Sequence, residues 1–258
     1  MPIIQAVDRA LRILDLFNKY EKELKINDIS LRMGLHKSTV HSLLKTLQQH
    51  SYIEQNLDNG KYKLGMKLFE RGNFFINSLS IRTISKKHQI EISKITGNTT
   101  HLVILDGKEG VYIDKVEGSA DTIQYSSIGR RIPIHCSAEG KTLLAFKGKE
   151  EMRALIEGYD YISHTPNTIR NENDFLAELK NVRENGYAVD NEENITGVMC
   201  IAVPIRNHTG NVVAAISMSQ RVHLINNSLL NERVNMLKKT AEIISHKLDC
   251  DIQTYKNE

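Results

Sequence analysis

The chain has 258 residues, 40% hydrophobic and 25% charged, with a formal net charge of +3 at pH 7. That length exceeds one average domain and that balance is globular, so two domains are expected. A membrane span is excluded because no run of about 18 apolar residues occurs. MPIIQAVDRALRIL lacks a basic segment ahead of a long apolar core, so it is not read as a secretory signal. Cys136, Cys200 and Cys250 are too few and too dispersed for a disulfide framework or a cysteine zinc site, which points to free thiols in the cytoplasm. Residues 1–80 hold 12 Lys+Arg against 8 Asp+Glu, and the rest 22 against 23. The positive excess therefore sits in the first third, compatible with a unit that meets a polyanion.

VDRALRILDLFNKY (7–20) spaces Val7, Ala10, Leu11, Leu14 and Phe17 as one buried helical stripe. In INDISLRMG, Asn27 is placed to cap a short helix and Gly34 to end it. In GLHKSTVHSLLKTLQQHSYI (34–53), Val40, Leu43, Leu44 and Leu47 share a helix face, and Lys37, Ser38, His41, Ser42 and Lys45 fall opposite. Two helices across a short Gly turn form a helix-turn-helix, whose second helix enters the major groove. Lys37 and Lys45 suit phosphate or guanine, and the hydroxyls and His41 suit base edges. The small Ser38 and Thr39 let the backbone come close, with free amides for a phosphate. Taken singly, each residue also suits a solvated helix face. The expected strands 52–55 and 61–64 around Asp-Asn-Gly narrow the choice, because a hairpin directly after such a helix makes a winged helix-turn-helix. Lys61 and Lys63 then lie on the wing, along the DNA backbone or minor groove.

The stretch 66–97 is helical in period with a break near Ser78–Ser80. Leu68, Phe69, Phe74, Phe75, Ile76 and Leu79 are too apolar for an exposed tether and are expected to pack on a partner chain or the next domain. The expected organisation is a DNA-binding domain over 1–65, a linker helix over 66–80 and an effector-binding domain over 81–258.

From His101 the pattern turns β-rich: THLVILD, GVYIDKVE and DTIQYSSIG are short runs between turns. RRIPIHCSAEGKTLLAF passes from a strand into a helix beginning near Ser137. KEEMRALIEG and NENDFLAELKNVRENG read as amphipathic helices, the second capped by Asn171 or Asn173 and stopped by Gly186. GYAVDNEEN, GVMCIAVPIRN and VVAAISMSQ are strands and NSLLNERVNMLKKTAEIISHKL closes as a helix. Strands in meander order with flanking helices make an α+β domain with an antiparallel sheet.

Cys200, Ser217 and Ser219 interrupt the most apolar strands, and the helix start beside Ser137 offers backbone amides to a carboxylate. A structural hydroxyl, satisfied by backbone, is the alternative for each serine. EGKT is not a phosphate-binding loop, since position 135 is His where Gly is required. Read as strand neighbours, His135 and Cys136 point to opposite faces and form no nucleophile pair. The histidines show no metal-binding spacing. No enzyme chemistry, metal or cofactor is expected.

AVDRALRILDLF, the 34–53 helix and wing, YKLGMKLFERG, IPIHCSAEGKTLLAF, RENGYAVDNEEN and GVMCIAVPI with AAISMSQ together resemble the IclR-type bacterial transcriptional regulators over essentially the full length. The resemblance implies a winged helix-turn-helix joined by a helix to a GAF/PAS-like effector domain, in homodimers or dimers of dimers on a palindromic operator. It implies regulation of a catabolic operon, read here as repression, with a sugar acid or other small organic acid as effector. The family's ligand positions fall on Ser137, Ala138, Glu139, Asp190, Cys200, Ser217 and Ser219. If Glu139 points inward, a simple anion is repelled unless Arg130 or Arg131 compensates, which favours a polyhydroxylated or neutral ligand. If it points outward, it favours its helix start. The competing reading is an enzyme or small-molecule carrier whose N-terminal helices serve protein contacts.

Overall fold

The computed structural model describes residues 2–18, 20–119 and 126–255, with side chains through Leu248. It divides into two compact units, Met1–Ser78 and Leu79–Glu258.

The first unit runs α1 (Gln5–Leu14), α2 (Ile26–Met33), α3 (Lys37–Gln49), β1 (Ile53–Gln55), β2 (Tyr62–Leu64) and α4 (Met66–Asn77). Ile13, Phe17, Ile29, Val40, Leu44, Leu47, Ile53 and Tyr62 form its core. Gly34 ends α2 at φ +64°, a left-handed conformation that glycine adopts without a Cβ penalty, and so makes the turn into α3. The hairpin register pairs Ile53 with Leu64 and Gln55 with Tyr62. Its tip closes through Asn56 N to Lys61 O at 2.8 Å, with the Asn56 and Asn59 side chains accepting from the amides of Asp58 and Lys61.

Three expectations are corrected here. The first helix ends at Leu14 rather than near Tyr20, because the Asn18 side chain accepts from the amides of Tyr20 and Glu21 and turns the chain. Val7 and Leu11 are 54% and 57% exposed, and Ile13 is the residue that α1 buries. Asn27 does not cap α2: Leu24 exchanges backbone bonds with Tyr62 as an extra strand-like bridge, and the helix begins two residues later with Lys25 at its cap.

The helical run breaks between Asn77 and Ser80, where the Ser78 hydroxyl donates to Phe75 O at 2.6 Å. α4 buries no residue fully, and Phe69, Phe74 and Phe75 are exposed.

The second unit runs α5 (Ser80–Thr96), β3 (Thr99–Asp106), β4 (Glu109–Val116), β5 (Arg131–Pro133), α6 (Ala138–Ala145), α7 (Lys149–Ile156), α8 (Glu172–Asn185), β6 (Ala188–Asn191), β7 (Val198–Arg206), β8 (Val212–Arg221) and α9 (Asn227–Tyr255). Its antiparallel sheet has the order β5-β4-β3-β8-β7-β6. This is two meanders joined at β3–β8, not one. The long segment carrying α6, α7 and α8 separates β5 from β6, so the last strand returns to pair with the first. Of DTIQYSSIG, residues 121–125 lie outside the described residues and 126–129 form a loop and turn rather than a strand.

One sheet face packs on α5 and α9 through Leu102, Ile201, Val203, Ile205, Ile216, Leu237 and Ile244. Asp114 fastens α5 to β4, accepting from Lys86 Nζ at 3.0 Å and Gln89 Nε2 at 3.1 Å. The other face receives α6 and α8, with Ile134, Leu144, Phe175, Leu179 and Ala202 between them. Asn171 caps α8 by accepting from Asp174 N at 3.0 Å, and Gly186 ends it.

Candidate nucleic-acid interface and effector cavity

On α3, Val40, Leu44 and Leu47 are buried and Leu43 partly so, which turns Lys37, Ser38, His41, Ser42 and Lys45 to solvent, with Thr39 half-buried. The helix has no acidic residue, and Lys37 and Lys45 form no ion pair among the described residues. The first-turn amides lack a side-chain cap. The Ser42 hydroxyl donates to Ser38 O at 3.1 Å, so its oxygen still has room to accept. On the wing, Lys61 is half-buried near Glu23, and Lys63 pairs with Glu54 at 3.2 Å. The wing therefore offers less free positive charge than its sequence suggests.

In the second unit a polar row crosses the sheet. Asp190 on β6 faces Cys200 on β7, Cys200 faces Ser219 on β8, and Ser217 on β8 faces His101 on β3. α6 lies over this row. Gly140 lets the start of α6 close against its own preceding turn: a Cβ there would lie 2.4 Å from Ile134 Cα. Glu139 is buried and points inward to the sheet. Its Oε1 accepts from Ser217 Oγ at 2.6 Å, its carboxyl also accepts from its own amide, and no cation pairs with it among the described residues. Burial holds that carboxyl above its usual range.

Asp190 accepts from Glu193 N at 2.7 Å and Asn194 N at 3.3 Å, yet burial and the neighbouring Glu193 push it up to about 8. His101 is pushed down to about 3 by burial and by Lys115, and sits 2.8 Å from Ser126 Oγ. Cys200 Sγ lies 3.0 Å from Ser219 Oγ, and burial raises its thiol. With Tyr112 these groups enclose a cavity of about 20 Å³, room for about one water. Burial thus disfavours the charged form of each of these groups.

Of the seven ligand positions, Glu139, Asp190, Cys200 and Ser219 line this cavity. Ser217 stands behind Glu139. Ser137 does not reach the cavity: its hydroxyl donates to Pro133 O at 2.5 Å and accepts from Gly140 N at 3.1 Å as the α6 cap. Ala138 packs in the apolar cluster under α8. Two further residues matter. His101 interrupts an apolar strand just as Cys200 and Ser217 do, so the same signal marks it. Lys141 carried none: wholly buried, its Nζ reaches Glu193 Oε1 at 2.7 Å, Glu178 Oε1 at 3.1 Å and Val189 O at 2.6 Å.

His135 and Cys136 lie on a turn before α6, not on a strand. Their ligand atoms and that of His164 come within 4.8 Å of one another, a proximity that sequence spacing hides. Both His135 nitrogens are engaged, Nδ1 with Tyr159 Oη at 3.0 Å and Nε2 with Ile162 O at 3.1 Å. The trio is therefore no ready cation site.

A winged helix-turn-helix unit in one chain with a sheet unit enclosing a polar cavity is the build of a ligand-sensing transcription regulator. The chain belongs to the IclR family of bacterial regulators: residues 6–57 match the IclR helix-turn-helix domain and 73–246 the bacterial transcriptional regulator IclR C-terminal domain. It is 52% identical over 248 residues to the HTH-type transcriptional regulator XynR of Escherichia coli K12, covering 96% of this chain and 98% of that one. The crystal structure of Thermotoga maritima IclR is 35% identical with a TM-score of 0.78, covering 95% and 99% of the two chains. An IclR homologue from Microbacterium hydrocarbonoxydans, complexed with 4-hydroxybenzoate, is 26% identical with a TM-score of 0.82 over 94% and 98%. The family and these relatives are transcriptional regulators, not enzymes. Among the described residues, no helix is long and apolar enough to cross a membrane.

Proposed function

We propose that this chain is a cytoplasmic repressor of a catabolic operon, released from a palindromic operator by a small polyhydroxylated acid. α3 reads the major groove through Ser38, Thr39, His41 and Ser42, with Lys37 and Lys45 on phosphate or guanine and Lys61 and Lys63 along the backbone. Residues 1–65, from α1 to β2, are the DNA-binding part, 66–80 with α4 the linker, and 81–258 hold the effector. Chains pair as homodimers, or dimers of dimers, through the exposed apolar residues of α1 and α4, which sets two α3 helices on two half-sites.

The observation that carries the effector reading is the inward Glu139 beside Asp190. Asp190, pushed up to about 8, and Glu139, raised in the same direction by burial, suit ligand hydroxyls rather than a bare anion or a plain aromatic ring. The 4-hydroxybenzoate held by the Microbacterium relative supports an organic acid in this fold, and the two carboxyls favour an aliphatic sugar acid here.

The test is operator binding with DNA from the gene's own upstream region. Affinity is expected to fall steeply with salt, since each neutralised phosphate adds a slope of about −0.9. A sugar acid that raises thermal stability should weaken DNA binding, and DNA should weaken sugar-acid binding by the same factor. A stabilising ligand with no effect on DNA affinity rejects the effector role.

A further inference from the structure

The polar cavity, at about 20 Å³, is far below the several hundred Å³ of ordinary ligand pockets. It shares a wall with an open cleft of about 1100 Å³, and Arg130, Ile132, Asn194 and Ile195 line both. The wall's loop is bolted at its ends. Glu193 O accepts from Thr168 Oγ1 at 2.6 Å and Thr165 Oγ1 at 3.1 Å, and Gly197 N donates to Glu192 Oε2 at 2.6 Å. Between these points, the Asn194 amide donates to Asp190 at 3.3 Å and Ile195 O accepts from Val198 N at 3.2 Å, while the Asn194 side chain forms no hydrogen bond among the described residues.

Among the described residues, the backbone amides beside the cavity are not free for an effector carboxylate. Glu139 already occupies its own amide at the start of α6, Ser137 takes the Gly140 amide, and Asp190 takes those of Glu193 and Asn194. On the cleft side, Arg131 is held by Asp106 and Glu109, and Lys108 Nζ donates to Glu157 O. Arg130 differs. Its backbone is fixed, O accepting from Tyr112 N and N donating to Ser127 O, both at 3.1 Å, while its guanidinium has no ion pair or hydrogen bond among the described residues.

We propose that the effector lies across this wall, its hydroxyls inside among Glu139, Asp190 and Ser219 and its carboxylate on the Arg130 guanidinium, with Asn194 and Ile195 displaced to admit it. Arg130 is then the specificity-determining residue for acids over the corresponding alcohols, because a guanidinium binds a carboxylate through two parallel hydrogen bonds. The assignment rests on the sugar-acid reading above.

The test compares aldonates of increasing chain length with alditols of the same length, by thermal shift and calorimetry on the full chain. At least one aldonate is expected to bind, more tightly than its alditol. Arg130→Gln should weaken that aldonate by about ten- to a hundred-fold and leave the alditol unchanged, since hydrogen bonds to charged groups carry that much. Arg130→Lys should recover part of the loss. Undiminished aldonate affinity in Arg130→Gln overturns the assignment while the effector reading stands. Binding of no aldonate overturns that reading, and this assignment with it. If Arg130→Gln does not fold, the wild-type chain decides. Aldonate affinity should fall with salt where alditol affinity does not, and equal salt dependence overturns the assignment.

Discussion

Lys45 and Lys141 carry the same ammonium in opposite settings. Lys45 stands in solvent on α3 with no ion pair among the described residues, whereas Lys141 is wholly buried in α6 between Glu193, Glu178 and Val189 O. The histidines divide likewise: His41 is exposed, and His101 is pushed down to about 3 by burial and by Lys115. A surface that meets a polyanion keeps its charge in water, where counterion release drives binding. A buried polar site excludes the water, and then its hydrogen bonds must be placed in advance by the protein.

The contrast predicts its largest effect at Lys141. Lys141→Met leaves Glu193 buried without its cation and should cost about 3–5 kcal/mol, read by denaturant unfolding. A loss below 1 kcal/mol would mean that the buried ammonium is not what holds the β6–β7 loop.

Asp190 comes next. Its folded value of about 8 lies above the unfolded one, so the folded state holds an extra proton between roughly pH 4 and pH 8. That contribution to stability is complete at lower pH and is lost as pH rises toward 8, by up to about 1.4 kcal/mol per unit. Asp190→Asn should remove this part of the slope, measured by unfolding at pH 5, 6 and 7.5. An unchanged slope assigns the proton elsewhere.

Lys45→Ala should leave stability within about 0.5 kcal/mol, weaken DNA binding and flatten the salt slope by about 0.9, as one lost phosphate contact would. Glu139→Gln is the mildest. A neutral amide replaces an acid already held toward its neutral form, so unfolding near pH 6 should change by less than about 1 kcal/mol. A gain of several kcal/mol would show that Glu139 is buried as an anion.

Local chemistry was legible wherever an element answers to its own residues. Gly34 closes the turn into α3, Val40, Leu44 and Leu47 bury one side of it, and Asn171 and Gly186 bracket α8. The polar interruptions Cys200 and Ser219 lie at the cavity, as members of a row running from β6 across β7 and β8 to β3. α1 was misjudged because Ala10, Leu11 and Ile13 satisfy two different helical stripes, and only the neighbours choose. For Ser137 the structural-hydroxyl alternative describes the geometry, since its side chain caps α6, and a cap and a ligand contact look identical in sequence. Lys141 left no trace, since nothing near it announces that Glu178 and Glu193, 37 and 52 residues away, converge on it.

The sequence by itself determined two units, an exposed basic helix face and a set of polar residues on otherwise apolar strands. These follow from periodicity and turn chemistry, which act within a few residues. Only the tertiary structure decided that Glu139 points inward, that the amides at the start of α6 are already taken, and that Arg130 stands between a closed cavity and an open cleft. The first and last depend on which atoms arrive from distant strands, and the amides are taken by neighbouring side chains whose rotamers the packing sets.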